Sequence, residues 1–260
     1  MTPQTIDEAA RALFAARANR VRIRNVPDDC QASSIDDAYQ IQDRLIDLIG
    51  QQVYGWKIGA TSQKARDFVG IKDASLRARL LADNCFEHPA DLRDHFFFMR
   101  AVECEFAFTL GVDLPAGEAP YDQETVVASV DSMHPAIEIS DSRYLDWTSV
   151  GGPALVADNC NDGAFVRGAK VEQWRNTDLN SHAVTLFVND EHVASGSGGE
   201  VITGPLGVLV WLANELAVRG MGLHAGQVVT TGSCTGVVVA QPGDRIRADF
   251  GKFGKVELCF

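Results

Sequence analysis

Two stretches near the N-terminus place apolar residues at helical spacing. From Thr5 to about Arg20, Ile6, Ala9, Ala10, Leu13 and Phe14 share one side of a predicted helix. A second helix is predicted from Ser34, a cap residue with Asp37 three positions on; it runs through Ala38, Ile41, Leu45, Leu48 and Ile49 and stops at Gly50. Then the period changes to two. Val53 to Thr61 reads as a strand with Tyr54, Trp56 and Ile58 on one face and Val53, Gly55, Lys57 and Gly59 on the other. Ser62 caps a short helix to about Val69, and Gly70 to Asp94 shows weak periodicity, which predicts loops and a short helix.

The longest apolar run is Phe96 to Leu110, and it carries two acids in its middle. As a strand it turns Val102, Cys104, Phe106 and Phe108 toward a core and Glu103, Glu105, Ala107 and Thr109 to the other face. Downstream, a short helix is predicted over 123–130, a short strand over 135–139 presenting Glu138, and an irregular loop over 151–163. Strands at 183–188 and 192–195 flank Asn189-Asp190, a strong helix runs from Thr203-Gly204-Pro205 to Arg219-Gly220, and strands at 228–231 and 237–240 surround Gly232-Ser233. Strands at 245–250 and 255–260 close the chain. Helices precede a strand-dominated body without βαβ alternation, so the expected class is α+β. The expected division is a small N-terminal α/β region, 1–85, and a β-rich catalytic domain, 86–260.

Composition narrows the function classes. With 35 acidic against 23 basic residues the net charge is −12, and no basic cluster stands out, which argues against nucleic-acid or membrane binding. The six cysteines are scattered without a CxxC pair, a pattern of reduced thiols. The N-terminal twenty residues lack a secretory signal pattern, and a cytoplasmic location is expected.

The chemistry centres on the acids. Two carboxylates side by side on a buried strand repel each other and are costly to desolvate. A divalent ion would offset both costs; an exposed face with two solvated glutamates is the alternative. Glu138 is a third carboxylate for an all-oxygen site suited to Mg²⁺ or Mn²⁺, whereas zinc would have only His134 as an imidazole, and His134 reads as an ordinary polar residue. Lys57, flanked on its own face by two glycines, has open space where a ligand can approach.

The segments VYGWKIGATS, AVECEFAFTLGVDLP, HPAIEISDSRYLDW and LVADNC, in that order, carry K-x-G, E-x-E, I-E-x-x-D-S-R and V-A-D-N. Together they resemble the fumarylacetoacetate hydrolase superfamily, and within it the 2-keto-4-pentenoate hydratase and 4-oxalocrotonate decarboxylase group, from about Tyr39 onward. The resemblance implies Glu103, Glu105 and Glu138 as ligands of Mg²⁺ or Mn²⁺, Lys57 lining the catalytic site, a mixed β-roll with a small helical N-terminal region, and a homo-oligomer. It implies a hydratase that adds water to a 2-hydroxy-2,4-dienoate. The alternatives are a 4-oxalocrotonate-type decarboxylase, an acylpyruvate hydrolase, or a metal-binding structural subunit of a partner enzyme. A complex with a catabolic-pathway partner is a further expectation. Two places are candidates for the carboxylate of a small 2-oxo acid: the helix N-terminus at Gly204, and the turn holding Thr231 and Ser233.

The sequence departs from the family pattern at Thr203-Gly204-Pro205-Leu206 and over 70–85. In the latter stretch Asp73 and Asp83 are candidates for an acidic pocket residue, and Arg77 and Arg79 read as solvated, with a second substrate carboxylate as their alternative partner.

Overall fold

Helix α1 (Pro3–Ala18) starts where Thr2 and Thr5 cap each other reciprocally, and α2 (Ile35–Ile49) starts on Ser34, whose Oγ accepts from the Asp37 N–H at 3.1 Å. The left-handed Gly50 ends α2. These are the helices read from the apolar spacing. In the computed structural model, which describes residues 1–71 and 75–260, there follow β1 (Val53–Gly59), α3 (Gln63–Val69), β2 (Leu76–Leu81), β3 (Cys85–Glu87), β4 (Ala90–Asp91), β5 (Ala101–Leu110), α4 (Gln123–Ser129) and β6 (Val130–Ser140). The remainder is α5 (Gly152–Ala157), β7 (Asp162–Arg167), β8 (Ala183–Val188), β9 (Glu191–Ser197), α6 (Gly204–Val218), β10 (Val228–Ser233), β11 (Val238–Val239), β12 (Arg245–Asp249) and β13 (Lys255–Cys259).

The larger sheet has the order β2-β1-β10-β5-β6-β7-β3, with β11 also on β5; the smaller has the order β4-β13-β12-β8-β9. Most pairs are antiparallel, but β1 runs parallel to β10, β3 to β7 and β4 to β13. The main core takes Val102, Cys104, Phe106 and Phe108 from β5, all fully buried, together with Leu186, Ile246 and Val256 of the smaller sheet and Val208, Leu209 and Leu212 of α6. A second apolar cluster joins α1, α2 and Val156 of α5. A third cluster runs from Leu80 of β2 to Phe165 of β7, and β2 and β7 themselves lie in contact although four strands separate them in the sheet. The sheet therefore curls into a half-barrel, and the expected α+β roll is the fold. The division expected after residue 85 falls inside β3, and β2 and β3 on either side of it belong to this same sheet.

Several elements differ from the periodicity. β2 lies where loops and a short helix were expected, α5 occupies the loop expected over 151–163, and β7 starts at the end of that loop and runs through residues for which no element was expected. β6, with 11 residues, is more than twice as long as the strand expected at 135–139. Arg77 and Arg79 are corrected most sharply: they are 1% and 8% exposed rather than solvated. The Arg77 guanidinium stacks 4.0 Å from the Tyr39 ring, and Arg79 bonds Asp43 at 2.6 Å and Gln42 at 2.8 Å. The expected turn at Gly232-Ser233 is a bulge inside β10, with Gly232 at φ +95°, and β11 continues along β5 rather than pairing with β10.

Candidate active site

Strand alternation and register bring the acids together. Glu103 pairs directly with Glu138 across β5 and β6, and Glu105 lies two residues along on the same face. Oxygens of Glu103, Glu105 and Glu138 all lie within 4.8 Å of one another. Glu105 and Glu138 are 1% and 3% exposed, and Glu103 is half-buried. From β1, Lys57 reaches the same place, 3% exposed, with its Nζ donating to Glu138 Oε1 and, at 3.0 Å, to the Cys160 carbonyl. The expected space beside Lys57 is present at Gly59, where an added Cβ would touch nothing within 4 Å. At Gly55 it is filled: a Cβ there would lie 1.9 Å from the Val228 carbonyl oxygen of the adjacent strand.

Each carboxylate keeps an oxygen for a ligand. Glu105 Oε2 accepts from the Thr230 hydroxyl and, at 2.8 Å, from the Gly232 N–H, which the bulge releases from the β ladder. Glu138 Oε1 takes Lys57 and, at 3.1 Å, Ser140. Burial, then the charge of Glu138, pushes the Glu103 carboxyl up to about 7, against the pull of Lys57. Glu105 is pushed well above the usual range by burial and by both neighbouring glutamates. Burial alone would lower the Lys57 pKa, but Glu138 reverses this and holds the ammonium protonated. One lysine cannot balance three clustered carboxylates. The hard, all-oxygen donor set fits a divalent cation such as Mg²⁺ or Mn²⁺.

The other sequence candidates take different places. Thr231 is fully buried and donates to the Phe106 carbonyl at 2.8 Å, whereas its neighbour Thr230 serves Glu105. Ser233 is opposite Glu105 in register and donates to the Gly236 carbonyl at 3.0 Å. Gly204 opens α6 at φ +73°, with the Asn180 side chain where its Cβ would be. The chain just before it is tied to the bulge region by an Ile202 N–H to Thr61 carbonyl bond of 2.7 Å. His134 bonds the Gly168 carbonyl and the Thr109 and Ser132 hydroxyls, outside the carboxylate set. Asp83 is exposed, and Asp73 lies outside the described residues. Sequence reasoning missed Ser140 and the Cys160 carbonyl; the latter has no side-chain signature.

Residues 93–260, the stretch holding all three glutamates, match the fumarylacetoacetate (FAA) hydrolase C-terminal family model. The chain belongs to the fumarylacetoacetate hydrolase family. Among its relatives in that family is the 2-keto-4-pentenoate hydratase of Paraburkholderia xenovorans (strain LB400), 34% identical over 264 residues, covering 100% of this chain and 96% of the relative. The 2-hydroxyhexa-2,4-dienoate hydratase of Comamonas testosteroni is 31% identical, covering 99% and 98%. A solved structure of 4-oxalocrotonate decarboxylase from Pseudomonas putida G7, complexed with magnesium and adipate, superposes with a TM-score of 0.90 at 26% identity, covering 100% of this chain and 98% of that one. In this family the half-barrel is a shared frame, and the residues lining it decide the chemistry.

Proposed function

We propose that this chain is a divalent-metal-dependent hydratase that converts a 2-hydroxy-2,4-dienoate into a 4-hydroxy-2-oxo acid. The observation that carries the reading is the convergence of Glu103, Glu105, Glu138 and Lys57 in the half-barrel of a chain related over its full length to hydratases. A bound Mg²⁺ or Mn²⁺, held by the three glutamates, would supply Lewis acidity toward the carboxylate and 2-oxo oxygen of the substrate.

The chain's own groups do the rest. Thr230 and the Gly232 N–H orient Glu105, and Lys57 with Ser140 orients Glu138, so the donor oxygens are preorganised. Lys57 keeps a third N–H beyond its two partners, with which it holds a substrate oxygen or delivers a proton. Proton delivery to C5 of the dienol gives the 2-oxo-3-enoate, and water then adds at C4. Gly204 at the α6 entrance and Ser233 in the β10 bulge are proposed to flank the substrate carboxylate, while Thr231, buried with its hydroxyl on the Phe106 carbonyl, holds the bulge in place behind them. A homo-oligomer in the cytoplasm, its catalytic domain over 86–260 completed by Lys57 of β1, rounds out the reading; the six free thiols fit that compartment.

A second reading, decarboxylation of a 4-oxalocrotonate-type dicarboxylate, is favoured by the full-length superposition on the decarboxylase. One assay separates the two. The purified protein is given Mg²⁺ or Mn²⁺ with 2-hydroxypenta-2,4-dienoate or 4-oxalocrotonate, and products are weighed by mass spectrometry. Gain of water supports the hydratase, loss of carbon dioxide the decarboxylase, and cleavage into two fragments a hydrolase. Failure to turn over any 2-oxo acid with metal present would overturn all three.

A further inference from the structure

Three successive non-glycine residues, Asn159, Cys160 and Asn161, sit in the left-handed region at φ 53°, 52° and 57°. Contact between Cβ and the following carbonyl disfavours such a run, so it persists only where neighbours over-determine it. Here they do. Asn159, fully buried, lies along the open edge of β2: its Oδ1 accepts from the Arg79 N–H at 2.9 Å and its Nδ2 donates to the Arg79 carbonyl at 2.9 Å. Asp158, also fully buried, accepts from the Arg143 N–H at 3.1 Å and Nε at 2.8 Å, and the Asn161 carbonyl accepts from the Asp141 N–H at 2.8 Å. The turn so held delivers the Cys160 carbonyl to Lys57 Nζ at 3.0 Å. β2 is the strand next to Lys57, and Ala78, beside Arg79, is its register partner.

We propose that Asn159 is a positioning residue, which clamps the left-handed turn to β2 so that the Cys160 carbonyl fixes the Lys57 ammonium beside Glu138. A lysine ammonium on a four-carbon stem is otherwise free to pivot, and in this lumen Glu103 and Glu105 would compete for it. With Glu138 and the Cys160 carbonyl on two of its protons, the third keeps one direction, which a reaction that transfers or holds a proton at a set atom requires. This inference rests on the role given to Lys57 above.

The test compares Asn159→Gly, which keeps access to positive φ but removes the clamp, with Asn159→Asp, which keeps the acceptor for the Arg79 N–H. Asn159→Gly is expected to lower kcat by ~10-fold or more, with KM and Mn²⁺ affinity within about 3-fold, because positioning acts on the chemical step rather than on binding. Asn159→Asp falls between it and the parent. A crystal structure of the metal-free Asn159→Gly protein should show the Lys57 Nζ to Cys160 oxygen separation opened beyond about 3.5 Å, the hydrogen-bond limit. An unchanged separation overturns the proposal, as does an opened separation with kcat retained, or metal affinity lost in step with kcat. An inactive parent protein overturns the proposed function instead, while the separation in the variant still decides the clamp.

Discussion

Glu105 holds a demanding position. It is fully buried next to two other carboxylates, and its own local support is one hydroxyl and one backbone N–H. Glu105→Gln removes a charged ligand and relieves repulsion, so it should abolish turnover and weaken Mn²⁺ binding while leaving the melting temperature equal or higher. Full activity in that variant would remove the metal assignment. The raised carboxyl pKa values carry a second expectation. An acid whose folded pKa lies above its unfolded one contributes stability below the unfolded value, and that contribution is lost as pH rises through the folded value. With Glu103 at about 7, the metal-free protein should lose stability between about pH 4.5 and 7. A bound cation offsets the repulsion, so the rise in melting temperature on adding Mg²⁺ or Mn²⁺ should be larger at pH 8 than at pH 6. A rise that shrinks with pH would contradict this account.

At the scale of elements, the site depends on how β1, β10 and β5 approach one another. Gly55 lets β1 lie against the Val228 backbone with no room for a side chain: a Cβ would meet the Val228 nitrogen at 2.7 Å as well as its oxygen at 1.9 Å. Gly55→Ala should therefore push the parallel pair apart, destabilise the protein by about 1–3 kcal/mol and displace Lys57 two residues on. Urea unfolding and kcat in the same variant check both parts. The β10 bulge works the other way, by breaking pairing on purpose. One extra residue between Thr230 and Ser233 turns the Gly232 N–H toward Glu105, and the Thr61 side chain fills the place where a Cβ on Gly232 would stand. The alternation of β5 was legible in the sequence because one face is uniformly apolar. β2 was not, because Arg77 and Arg79 alternate through it. Their burial depends on Tyr39, Asp43 and Trp56, which stack on or pair with them from α2 and β1.

Across the whole molecule, α1 is joined to the site region by charge. Arg17 donates to Asp162 through both terminal nitrogens, one at 3.0 Å and the other at 2.5 Å, and Arg143 reaches the same carboxylate at 3.3 Å. Burial would raise the Asp162 pKa, but Arg17 and Arg143 together hold it below the usual range. A depressed carboxylate contributes stability above its unfolded pKa and loses it as pH falls through the folded one. Arg17→Met should thus cost about 1–3 kcal/mol at pH 7 and distinctly less near pH 3, measured by chemical denaturation at both values. An equal cost at both would mean that Arg17 acts through its packing alone.

The sequence by itself determined the two N-terminal helices, though not their ends to the residue, the in–out alternation of β5, the family and the identity of the acids and lysine that converge. These are local or ordered along the chain: a period, a cap, a set of motifs at fixed spacing. Only the tertiary structure decided that β2 and β7 are strands, that Glu103 faces Glu138 across a ladder, and that a backbone carbonyl at Cys160 meets Lys57. Pairing register and burial depend on partners far away in sequence. A carbonyl is common to every residue, so its aim is set by the fold around it.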